Sequence, residues 1–225
     1  MSSADDVQEV TTDDSSAFEF PINIMLYSCI TMGFSALTGM YLIFMYFSAI
    51  QAYVTKPVSI NTSSIALNSV NLISVLIAVA LIDYLPRVNT LRIGAIGIFI
   101  SNCMIGFSLI FELEYVSLVF WWFFLLFYQF SLGSLKWVYV SEISNEYVTC
   151  VSFSSYWIAI FFISLAFPFV PLEYTYIVMF LEAAATLPIL YVTANMIETK
   201  GYDPDEIEEQ MINVSTHSEF NKYRN

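Results

Sequence analysis

Between residues 27 and 194 the chain alternates long apolar runs with short polar breaks. Six runs can be drawn, at residues 27–50, 61–81, 91–111, 116–139, 151–170 and 174–194. Each is close to the roughly 20 residues an α-helix needs to cross the hydrocarbon core of a bilayer. The breaks carry turn and charge signals: Lys56-Pro57, then Asp83 with Pro86, then Glu112 and Glu114, then Glu142 and Glu146, then Pro171 and Glu173. Connections this short make consecutive helices antiparallel neighbours. No Gly/Ser-rich linker divides the block. The pattern predicts an all-α, polytopic membrane protein with an acidic tail at 1–21, one six-helix bundle at 22–195 and a second acidic tail at 196–225.

Composition narrows the function classes. The 225 residues are 58% hydrophobic and 12% charged, against about 45–50% and about 25% in soluble domains. Mean hydropathy is +0.69. An ordinary water-soluble enzyme, a disordered chain and a basic nucleic-acid binder are all excluded. The net charge of −13 comes mostly from the tails, which hold 13 of the 20 acidic residues. The first twenty residues lack both Lys/Arg and an apolar core, so a cleavable signal peptide is not expected there.

Candidate chemistry is sparse. Cys29, Cys103 and Cys150 are an odd number at wide spacing, with neither a disulfide framework nor a metal-ligand pattern, and read as small packing residues. No phosphate-binding G-x-x-x-x-G-K-[ST] run occurs, and the one histidine, His217, lies in the acidic tail. No enzyme activity, cofactor or metal is expected. Of the seven basic residues, Arg87, Arg92, Lys136, Lys200, Lys222 and Arg224 fall on one side of the predicted topology and Lys56 on the other. That imbalance puts both termini in the cytoplasm, with the plasma membrane as the expected location. Asn61-Thr62-Ser63 is then an outer glycosylation triplet close to the membrane, and Asn213-Val214-Ser215 is a silent cytoplasmic one.

Polar side chains within the apolar runs are costly and mark interior cavities, pathways or helix contacts. Asn71, with Asn68 on the same helical face, and Gln129 offer amides that could replace a polar solute's bonds to water. They could equally bond neighbouring helices to one another. Lys136 is about one turn from its helix end and is expected to snorkel outward. Glu182 sits mid-helix, either as a proton-coupling carboxylate or as a neutral, hydrogen-bonded acid. Trp121, Trp122, Phe123, Phe124 and Phe127 read as an interface belt grading into lipid contact, and Gly94, Gly97, Ser101 and Gly106 as close-packing points.

Three motifs appear in a recognisable order. Ile197-Glu198-Thr199-Lys200-Gly201, followed by Asp205-Glu206-Ile207, is similar to the P-E-T-K-G segment and its acidic sequel. Gly133-Ser134-Leu135-Lys136-Trp137 with Ser141-Glu142-Ile143 is similar to G-P-x-P-W…S-E-[IL]. Asp83-Tyr84-Leu85-Pro86-Arg87 is a weakened D-R-x-G-R. Together they cover about residues 31–207, and the chain resembles the C-terminal half of a sugar porter of the major facilitator superfamily. The resemblance implies half of a major facilitator bundle. It places Asn71, Gln129 and Trp137 at substrate-binding positions, and Asp83, Arg87 and Glu142 in a charge network that gates the helix ends.

The departures are as specific. The family's Q-Q-x-S-G-x-N stretch reads Ser35-Ala36-Leu37-Thr38-Gly39-Met40-Tyr41, the hinge prolines become Ser134 and Lys136, and the eleventh-helix asparagine becomes Ser155. Two classes of function follow. One is a transporter of a small, sugar-like solute by alternating access, assembled in the bilayer from this chain and a second copy or a separate half. The other is a non-transporting relative, truncated, that binds or regulates a full-length transporter. A third expectation is that the sequence is a piece of a longer transporter.

Overall fold

The computed structural model describes residues 22–54, 59–202 and 206–207. The N-terminal tail, Lys56-Pro57, the Asn213 triplet, His217, Lys222 and Arg224 lie outside the described residues. Regular structure among those described is entirely helical. Helices α1 (Ile22–Ala36) and α2 (Met40–Val54) form the first span, and α3 (Ile60–Leu81) and α4 (Arg87–Ile110) the second and third. The fourth span comprises α5 (Glu114–Tyr128), a π-helical turn at Gln129–Gly133 and α6 (Leu135–Ile143). The fifth and sixth are α7 (Glu146–Ala166) and α8 (Thr175–Asn195). Among the described residues, six helical spans are long and apolar enough to cross a membrane. The predicted fold class is the observed one.

Local chemistry sets where several helices begin. Ser59 caps α3, its Oγ accepting the Thr62 N–H at 3.2 Å. Asn145 caps α7 in the same way, through the Val148 N–H at 2.9 Å. Both satisfy amides that a helix start leaves without an internal partner. Pro86 precedes α4 and supplies no side-chain cap.

Two spans are interrupted where the sequence reading has continuous helix. The first breaks at residues 37–39, with Gly39 at φ 106°. That backbone state is open to glycine at no steric cost, and a Cβ on Gly39 would strike the Glu182 carboxyl of α8. The fourth passes through the π turn, in which Gly133 lies so close to the Gln129 side chain that a Cβ there would collide with it. Single π turns often occur at functional sites.

The third span is the structural centre, packing against α5 on one side and α8 on the other, while α1 packs on α7. Leu91, Ala95, Ile98 and Ile105 of α4 are fully buried. Lipid tails are as apolar as leucine, so helix association in a bilayer depends on close van der Waals approach. Gly94 meets Ser131, Gly97 meets the ring of Phe127, and Gly106 meets Phe180. The small-residue stripe therefore does what its spacing suggests. The aromatic cluster does so only in part. Trp121 and Phe124 are buried in the core, with Trp121 edge-on to Phe47 at 6.1 Å, whereas Phe123 is exposed. A helix completes a revolution about every 3.6 residues, so one aromatic run serves both core and periphery.

All three cysteines are free, with Cys150 on the surface rather than in the packing. The second and fifth spans bury the smallest share of their side chains, and α3 presents Ile65, Leu72, Ile73 and Leu76 outward.

Candidate solute-contacting site

Of the residues the sequence singles out, Asn71 and Gln129 meet. Gln129 Nε2 donates to Asn71 Oδ1 at 2.5 Å, joining α3 to the π turn. Both side chains are half-buried. The bare Cα of Gly133 makes room for the Gln129 amide, and Ser134 Oγ donates to the Gln129 carbonyl at 3.1 Å across the same turn. Asn68 takes no part; it is exposed and bonds the Ser64 carbonyl of its own helix. An interhelical amide pair of this kind typically contributes about 0.6 kcal/mol in a membrane. Its donors and acceptors could be exchanged with a hydroxylated solute at small cost.

Trp137 stands in a separate aromatic group. Its ring meets Phe153 at 4.8 Å and Tyr156 at 4.9 Å, both nearly edge-on, and Tyr156 OH donates to Tyr41 OH at 3.2 Å. Lys136 is at the centre of this group, which corrects the expectation that it snorkels. It has no exposed surface. Its Nζ donates to Ser35 Oγ at 2.9 Å and to Tyr128 OH at 3.4 Å. It also lies over the rings of Tyr156, Trp137 and Tyr128 at 4.0, 5.1 and 5.6 Å from the centroids. Depth along a straight helix predicts an exit to water, but the i→i+5 turn resets the register of the residues after it. Lys136 consequently faces α1. Three ring faces and two hydroxyls replace its hydration without an opposite charge among the described residues.

Ser35, in the stretch where the resemblance expects amides, is used up by this lysine. Ser155 likewise bonds backbone, donating to the Ser152 carbonyl at 2.7 Å, with the Cys29 carbonyl at 3.3 Å.

Glu182 belongs to neither group. It is buried in α8 against Gly39, and neither carboxyl oxygen has a hydrogen-bond partner among the described residues. Of the two expectations for Glu182, the hydrogen-bonded acid is not met: the carboxyl is buried without a donor among the described residues.

A third polar cluster closes one end of the bundle, where residues 82–86, 144–145 and 196–202 come together. Arg87 pairs with Glu142 at 3.5 Å and donates through Nη1 to the Ile82 carbonyl at 2.9 Å. Asp83, expected in the same network, is exposed and has no partner among the described residues. Its place is taken by Glu198, whose carboxylate accepts the Arg87 N–H at 2.6 Å and the Val88 N–H at 3.0 Å. These are amides of the first turn of α4, where a negative charge is favoured by the helix dipole. Thr199 Oγ1 donates to Glu142 at 2.6 Å, and Tyr139 OH to the Ile197 carbonyl at 2.9 Å. The signal for Glu198 was present in its five-residue motif, but nothing in that motif says which helix start it would reach.

A sequence profile of the family described as "Sugar (and other) transporter" matches residues 12–211. The chain belongs to the sugar transporter family. This is a family of transporters and not of enzymes, and its six apolar spans fit an integral, multi-pass membrane protein. A search among curated proteins gives no match. Among solved structures, the inward-open xylose transporter XylE from E. coli is similar with a TM-score of 0.74 at 19% identity, over 88% of this chain and 43% of XylE. The proton:xylose symporter XylE bound to 6-bromo-6-deoxy-D-glucose gives 0.74 at 20% identity, over 86% and 43%. At such identity the likeness is one of fold, that of the major facilitator superfamily. The chain spans less than half the length of these transporters.

Proposed function

We propose that this sugar transporter family member forms one side of a transmembrane path for a small polar solute of the sugar class. It corresponds to a C-terminal half and acts by alternating access when a second six-helix half, another copy or a separate chain, stands opposite. The observation that carries this reading is the Asn71–Gln129 amide pair, because it provides exchangeable hydrogen bonds between two otherwise apolar helices. Trp137 is the aromatic contact. Arg87 and Glu142 form a latch, closed here, that opens as the helix ends part, and Asp83 is free to pair in the other state. The least-buried spans, α3 and α7, supply the apolar surface a second half would cover. In this reading both termini are cytoplasmic and the membrane is the plasma membrane.

Uptake of labelled xylose and glucose into liposomes holding only the purified chain tests it, with and without a proton gradient. Saturable uptake that disappears on Asn71→Ala supports a path built from copies of this chain. No uptake from well-folded protein overturns that version, and co-purification from the native membrane then identifies a separate half.

A second reading, a non-transporting relative that binds a full-length transporter, is favoured by one feature. Lys136 and Ser35 fill with their own hydrogen bonds a place where the resemblance expects free amides. Persistent capture of a full-length transporter by a chain that moves no sugar would support it.

A further inference from the structure

Arg92 belongs to none of the clusters described above. It lies five residues into α4, and its Nη2 donates to the Thr193 carbonyl near the end of α8 at 2.7 Å. Its Nε is buried without a partner, and no acidic side chain pairs with the guanidinium among the described residues. Arg87, at the start of the same helix, is by contrast held by Glu142. Arg92 is half-buried, on the margin of an outward face of α4 where Asn89, Ile93 and Ile96 are exposed. On α8, Leu187, Tyr191 and Asn195 are exposed at a spacing of four residues, one helical face. The Arg92–Thr193 bond brings the polar ends of these two stripes to one level, beside the seam where α4 packs on α8.

We propose that this outer groove binds an anionic phospholipid of the bilayer, its phosphate on the Arg92 guanidinium and its acyl chains along Ile93, Ile96 and Leu187. The depth suits a head group. Arg92 is about 7.5 Å along the axis from the first residue of α4 at the usual rise, and a long basic side chain at such a helix end extends to the interface. A guanidinium keeps its charge and offers a planar fork of N–H donors that matches phosphate oxygens. One nitrogen is engaged by Thr193, and no carboxylate among the described residues takes the others. Asn89 and Tyr191 add exposed polar groups at the same level, and the isoleucines and Leu187 beneath them form an apolar track. With one uncompensated cation and no carboxylate paired there to receive an ammonium, a head group of net negative charge is favoured over a zwitterionic one.

The test uses the full chain in phosphatidylcholine vesicles doped with phosphatidylglycerol or phosphatidylcholine that carries a diazirine in its acyl chain. The phosphatidylglycerol probe is expected to label the helices beside the seam about fivefold more than the phosphatidylcholine probe, the preference one basic residue gives at a membrane surface. Arg92→Gln should bring the two probes level. Arg92→Lys should keep part of the preference, because the charge stays and the fork is lost. Asn89→Ala, at an exposed position with Arg92 left in place, should lower phosphatidylglycerol labelling about threefold. That variant keeps the test valid if Arg92→Gln folds poorly. Millimolar inorganic phosphate should displace neither probe, since the apolar track contributes to binding. Equal labelling by the two probes in the parent chain, a preference undiminished in both Arg92→Gln and Asn89→Ala, or displacement by inorganic phosphate overturns the proposal.

Discussion

The closed end of the bundle and its middle handle charge in opposite ways. At the end, Arg87, Glu142, Glu198 and Thr199 interlock, each charge answered by an opposite charge, a backbone amide or a hydroxyl. In the middle, Lys136 and Glu182 are both buried, and neither has an opposite charge within reach among the described residues. Lysine is accommodated by rings and hydroxyls; glutamate is accommodated by a glycine's missing side chain. Partly exposed networks of the first kind contribute modestly and can part and re-form. Isolated buried ionisable groups of the second kind are costly to keep charged, so each must be compensated locally or held neutral.

The comparison can be broken most severely at Gly39. Gly39→Ala forces a side chain into a positive-φ position and into the Glu182 carboxyl, at an expected cost of about 3 kcal/mol. Fluorescence-detected size exclusion after heating should show a much lower midpoint, and an unchanged midpoint would mean the break is loosely packed. Glu198→Ala should cost roughly 1–2 kcal/mol, because it leaves the Arg87 and Val88 amides uncapped. Hydrogen exchange at the start of α4 is the direct readout.

Smaller effects sharpen the contrast. Lys136→Met removes the buried cation while keeping most of its volume, and stability should stay within about 1 kcal/mol of the parent or rise. A large loss in thermal melting would show that the ring contacts outweigh desolvation. Asp83→Asn, at an exposed and unpaired carboxylate, should leave the melting temperature unmoved. A measurable drop would reveal a partner that the closed end does not display.

These two regions also mark how far the sequence could be read. Six spans were legible because a bilayer imposes one length on every crossing, and Asn71 with Gln129 stood out because amides are rare in such runs. Depth along a helix was legible too, but direction around it was not. Lys136 has the depth of a snorkelling residue and the direction of a core one, because the π turn at Gln129–Gly133 intervenes. No apolar pattern announces such a turn, nor the break at Gly39, since both lie inside runs of the length and mean hydropathy of a single crossing helix. Asp83 and Glu198 show the same limit for charges: both sit in motifs, and only the folded chain shows which one meets Arg87.

The bonds from Glu198 have a consequence for how the bundle is made. The Arg87 amide and the carboxylate that caps it are 111 residues apart. At about 5–20 residues per second, the third crossing waits on the order of 5–20 seconds on the ribosome for the segment that finishes its first turn. Until then the opening amides of α4 have only water or headgroups as partners. The segment after the sixth crossing thus acts as a late closing stitch, and assembly of this end is complete only when synthesis has passed it.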